Sequence, residues 1–157
     1  MKKFMIAVFA AAAVLFTTTG CEKSEQKVTD QLEVTANNVA GTWRLAEWSN
    51  GTLDADCYVY MKLIRKDRLF ELYQNLDSFS PRKLTGEFNI TTDEELGAII
   101  RGKYDHGTGE WAHRYIVRSL TSDRMVWVAK DDTSDITVYE RVSSIPDDIM
   151  SAFPDSE

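Results

Sequence analysis

The chain is poor in the residues from which catalytic centres are built. It holds only two histidines, and no nucleophile stands in a pattern that would set a base beside it. Gly-x-Ser-x-Gly is absent, and nothing reads as a phosphate-cradling loop or a dinucleotide fingerprint. The carboxylates are scattered, with no spacing that pairs two of them for glycoside hydrolysis. An enzyme is therefore not expected, and neither is a cofactor. Cysteine is just as scarce: Cys21 and Cys57 cannot make a disulfide framework. Basic residues are outnumbered, 18 against 25 acidic, for a formal charge of −7, which argues against an anionic nucleic-acid partner. Also missing is any helical period long enough for a parallel crossover, and any apolar run long enough to span a bilayer.

The longest apolar run is residues 4–16, FMIAVFAAAAVLF, 13 residues where a spanning helix needs about 20. Lys2 and Lys3 precede it, and the small residues Thr17 to Gly20 come after it. These are the parts of a secretory signal peptide covering residues 1–20. Thr19-Gly20-Cys21 resembles the lipobox of bacterial lipoproteins, although Thr18 stands where that family usually has leucine. The resemblance implies that Cys21 is acylated, palmitate-fashion, and becomes the first residue of the mature chain. Several acyl chains, at about 0.8 kcal/mol per buried methylene, anchor stably without a spanning helix.

From Glu22 the chain reads EKSEQKVTDQLEVTANN, with no aromatic residue before Trp43. Such a segment buries too little apolar surface to offset its ordering entropy, so residues 21–38 are expected to form a flexible tether. The acidic letters after Cys21 resemble the export signal of surface-exposed lipoproteins of Bacteroidales-type bacteria; a solvated linker explains the same letters. Without residues 1–20 the chain keeps 16 basic and 25 acidic residues, a formal charge of −9. Residues 39–157, beyond the tether, have the size of one domain.

Within that domain the pattern has period two. Expected strands are 41–49, 57–66, 68–75, 84–90, 98–104, 113–120, 124–130 and 135–142, separated by turn formers such as SNGTLDAD, DHGTGEW and KDDTS. Eight short strands with short links suit an all-β, antiparallel up-and-down barrel, which leaves no exposed edge. A two-sheet sandwich is the alternative. Pro146 followed by Ile149, Met150 and Phe153 suggests one short amphipathic C-terminal helix lying on the barrel.

Gly41-Thr42-Trp43 at the start of the first strand, with Arg141 in the last, is similar to the lipocalin and fatty-acid-binding superfamily. GTWRLAEW, GKYDHGTGEW, YIVRSLTSDRMVW and VYERV together look like the lipocalin-like lipoproteins of Bacteroidales-type bacteria, over roughly residues 39–146. The resemblance implies a calycin-like barrel in which Trp43 closes one end and Arg141 packs across its ring. It further implies a lipid-anchored envelope protein, in the outer membrane and facing the periplasm or the surface. Leu120-Thr121-Ser122-Asp123 departs from the second lipocalin motif, which has an aromatic there.

With Trp43 and Arg141 inward, period two turns Leu45, Thr137 and Tyr139 inward as possible ligand-lining residues. Arg101 is a further polar candidate, inward or facing solvent. The many aromatics either line a cavity or fill the core, and small barrels are commonly packed solid. Trp111, in the glycine-rich DHGTGEW loop, reads as a possible exposed contact or lid. Asp105, His106, Glu110 and His113 are the one cluster of ligand-type side chains, but no recognised spacing supports a metal, and none is expected. Asp131, Asp132 and Asp135 lack the order of a calcium loop and read as a solvated turn. Two functions stay open. The first is a carrier of a small apolar or amphipathic ligand; the second is a solid-cored interaction subunit of an outer-membrane complex, working through rim loops.

Overall fold

The period-two alternation is realised as eight strands: β1 Gly41–Trp48, β2 Tyr58–Ile64, β3 Leu69–Asn75, β4 Arg82–Asp93, β5 Gly97–Tyr104, β6 Tyr115–Leu120, β7 Arg124–Ala129 and β8 Ile136–Val142. The computed structural model describes residues 30–49, 51–76, 80–107 and 109–153. Every strand pairs antiparallel with its chain neighbours, and β8 returns to β1, so the sheet closes into a barrel. The expected all-β barrel is the fold; the sandwich is not. Registers shift between Leu45 and Glu47 and between Val117 and Ser119. Such bulges bend and twist a strand, which helps a short barrel close. β4 outruns its expected span because Thr91 and Thr92 continue the β-branched run after Ile90. The β2–β3 turn places Asp67 and Arg68 at φ of 58° and 52°.

Inward positions fill the core: Trp43 and Leu45, Met61 and Leu63, Phe70, Phe88, Ile100, Leu120, Met125 and Trp127. On the other face of β5 to β8, alternation sets Ile99 beside Ile116, Ile116 beside Val128, and Val126 beside Val138. These cross-strand apolar pairs shield one another and stiffen that wall.

A short helix, α2 (Asp147–Ser151), comes after Pro146, which stands at the N-cap rather than at the first helical position. Ile145, Ile149 and Phe153 close over Tyr73 on the outside of the barrel, with the Phe153 ring edge-on at 5.6 Å. Met150, expected on the packing face, is exposed.

Residues 30–38, expected to belong to the tether, are part of the fold. Residues 1–29, which include the signal segment, Cys21 and most of the acidic stretch, lie outside the described residues. Residues 30–38 do not behave as a linker: Leu32, Val34 and Ala36 pack on the core, and Leu32 N–H donates to the Leu120 carbonyl at 2.8 Å. A one-turn helix, α1 (Ala36–Val39), starts at Thr35, whose hydroxyl accepts from Asn38 N–H. The aliphatic side chains of this segment, without any aromatic, find a ready-made apolar surface at the barrel end.

Candidate functional site

The two ends of the barrel differ. At one end, α1 leads into Gly41, and Trp43 is fully buried with its Nε1–H donating to the Val39 carbonyl at 2.8 Å. The Arg141 guanidinium carbon stands 4.1 Å above the Trp43 ring centre, in the range of a cation–π contact. Its nitrogens donate to three carbonyls: Nε to Ser122 at 2.7 Å, Nη1 to Ala40 at 2.6 Å and Nη2 to Asn38 at 2.9 Å. Burial pulls the guanidinium below its ordinary value, but guanidinium keeps its proton in proteins. Gly41 is required here for two reasons. Its φ is 138°, and a Cβ would overlap Arg141 Nη1. Trp43, Arg141 and α1 therefore lie together at one end of the barrel.

Behind this end lies a connected aromatic group. Phe70 meets Tyr104 and Trp111 at 5.6 and 5.1 Å; Trp111 meets Trp127 at 5.6 Å. Trp127 in turn stacks on Tyr115 at 5.2 Å and meets the Tyr139 ring edge-on at 5.0 Å. The Trp127 Nε1–H is buried without a hydrogen-bond partner among the described residues. Trp111 is thus not the exposed loop contact that its glycine-rich neighbours suggested. Gly102 on β5 leaves space for its ring, since a Cβ there would overlap the indole, and Trp111 N–H donates to the Gly102 carbonyl at 2.8 Å.

Towards the opposite end the barrel opens into a cavity of about 630 Å³. Leu45, Val59, Leu72, Thr137, Tyr115 and Tyr139 form its walls, and Trp48, Asp132 and Asp135 stand among its lining residues. All three residues expected to line a ligand site, Leu45, Thr137 and Tyr139, are brought together in it. Val59 and Leu72 were missed, although each is in phase with an inward core residue two positions along its strand, Met61 and Phe70; Tyr115 is one of the aromatics left open between cavity lining and core. Trp48 carried no such signal, because the bulge after Leu45 breaks the alternation.

Burial pushes the Tyr139 phenol far above its ordinary value, with Tyr115, Asp135 and Tyr104 adding to the shift. Burial likewise pushes Tyr115 up to about 12, with Asp135, Tyr104 and Asp131 adding. Both hydroxyls stay protonated at neutral pH and so can donate and accept hydrogen bonds. A second space, of about 710 Å³, lies on the outside between the 52–57 loop, β1, β2 and α2. Cys57 is half-buried on its border.

The remaining candidates are elsewhere. Arg101 is exposed on the outer face of β5. His113 turns to Asp131, Nδ1 to Oδ1 at 2.9 Å, which lowers the Asp131 carboxyl below its ordinary value. The described residues hold no group of three or more His, Cys, Asp or Glu placed to bind a metal ion. Asp132 accepts from Ser134 N–H at 3.0 Å and from the Ser134 hydroxyl at 2.6 Å, an ordered turn rather than a merely solvated one.

No protein-family model matches the chain, and no curated protein matches it. It is similar to a solved structure, the NMR structure of a protein from Bacteroides uniformis ATCC 8492. The two share 21% identity with a TM-score of 0.50, over 71% of this chain and 96% of that one. The likeness is one of fold.

Proposed function

We propose that this chain is a non-enzymatic, lipocalin-like lipoprotein of the cell envelope whose barrel holds a small amphipathic molecule. The observation that carries the reading is the one-ended barrel. Trp43 and α1 occupy one end, and the other opens into a cavity whose size falls within the range of small-molecule sites, about 300–1,000 Å³. Its lining joins aliphatic and aromatic side chains to hydroxyls, the Gln74 amide and two carboxylates, which suits a ligand with an apolar body and a polar end. The rival role, a solid-cored interaction subunit working through its rim loops, is disfavoured by the cavity, and Trp111, its candidate contact, packs on Phe70 and Trp127.

Nile red, a neutral dye that brightens in dry surroundings, is expected to bind the folded protein saturably at one site. Thr137→Phe should weaken that binding by about tenfold or more by filling the cavity, while costing only about 1–3 kcal/mol in stability. Absence of saturable binding to the native protein would reject the carrier.

Anchoring is tested separately. Cys21→Ala should leave an intact domain that no longer sediments with membranes, since the segment after it offers no other apolar anchor. Fatty-acid label retained by the Ala variant would overturn acylation at Cys21.

A further inference from the structure

We propose that the cavity selects organic cations, taking an amine or quaternary ammonium group on an apolar, preferably aromatic, body. This rests on the ligand-binding reading above and names the class of ligand.

The charged side chains that line the cavity are Asp132 and Asp135; no lysine, arginine or histidine lines it. Neither carboxylate has an ion-pair partner among the described residues. Asp132 is held by Ser134, and Asp135 accepts from the Ser49 hydroxyl at 3.2 Å, contacts that orient the carboxylates without neutralising them. Of the basic side chains nearby, Lys130 pairs with Asp93 at 3.3 Å, and His113 hydrogen-bonds Asp131 at 2.9 Å while also acting on Asp132.

The second observation lies deeper. Tyr139 is only 8% exposed, and its hydroxyl has no hydrogen-bond partner among the described residues. That hydroxyl lines the cavity with no described protein group taking it, so it is open to a ligand's polar head. An ammonium N–H fits, because the phenol oxygen can accept from it. Tyr115 and Tyr139 both line the cavity, and electron-rich rings at that position favour a cation. Asp135 also opposes ionisation of both phenols, and the same field that resists a phenolate favours a positive charge. A carboxylate-headed ligand such as a fatty acid would meet two carboxylates with no cation to receive it.

Three indoles with one body and different heads provide the test: tryptamine (cationic), tryptophol (neutral) and indole-3-propionate (anionic). Each is titrated calorimetrically into the purified full chain. Tryptamine should bind at least about tenfold more tightly than tryptophol, with the propionate weakest, from attraction to the two carboxylates together with cation–π contacts. In the Asp132→Asn/Asp135→Asn double variant, which keeps the turn's hydrogen-bonding groups, that preference should vanish while tryptophol affinity stays within about twofold. Tryptophol or the propionate binding as well as tryptamine would overturn the cation proposal, and so would a preference that survives in the double variant. If Nile red still binds in that case, the cavity remains a carrier site and only its charge selectivity is lost. If neither the dye nor any indole binds, the carrier reading falls as well.

Discussion

Trp43→Ala is expected to remove about 3–5 kcal/mol of folding stability, the cost of truncating a large, fully buried aromatic. The loss has identifiable parts. The indole is completely buried, so its removal leaves a cavity at the closed end of the barrel. The Val39 carbonyl loses its indole donor, and the Arg141 guanidinium loses the ring beneath it. Arg141→Ala should also destabilise, because three carbonyls, those of Asn38, Ala40 and Ser122, lose a charged donor together. Two of the three belong to α1 and its C-cap, so the N-terminal segment should loosen as well. Urea denaturation of both single variants and the double variant closes a cycle, and an interaction of about 0.5 kcal/mol or more is expected for residues in contact. Strict additivity would mean that the ring and the guanidinium do not act on each other.

The strands were legible because their signal is local. One face of each strand is buried, and period two writes that burial into the letters; with Trp43 and Arg141 set inward by the resemblance, Leu45, Thr137 and Tyr139 could be turned inward before any pairing was known. The illegible parts depend on contacts between distant segments. Residues 30–38 lack aromatics and look like a linker by composition. Their order comes from the Leu120 carbonyl, which accepts from Leu32 N–H, and from Arg141, which donates to Asn38 and Ala40. None of those partners lies within 80 positions of them. Asp132 and Asp135 likewise read as a solvated turn. Only the closed topology sets them beside Tyr115 and Tyr139 at the cavity.

Trp111 shows the same limit, and it leads to the second large effect. Its neighbours, Gly107 and Gly109, announce an exposed loop, while the feature that draws the ring inward is an absence on another strand. Gly102 has no side chain, and the indole occupies the space that one would fill. Gly102→Ala should therefore cost about 1–3 kcal/mol by overpacking, since the ring must move off Phe70 and Trp127. Trp111→Ala should cost about 3 kcal/mol, the lower end for a large aromatic, because the ring is only partly buried. In the Trp111→Ala background the added Cβ meets no indole, and replacing glycine inside a strand gains about 0.5–1 kcal/mol from lost backbone freedom. Gly102→Ala should then change sign, from destabilising to neutral or stabilising. Denaturation of the four proteins checks it, with a red-shifted indole emission in Gly102→Ala reporting that the ring has left its packed site. An equal cost for Gly102→Ala in both backgrounds would show that Trp111 does not depend on the space at Gly102.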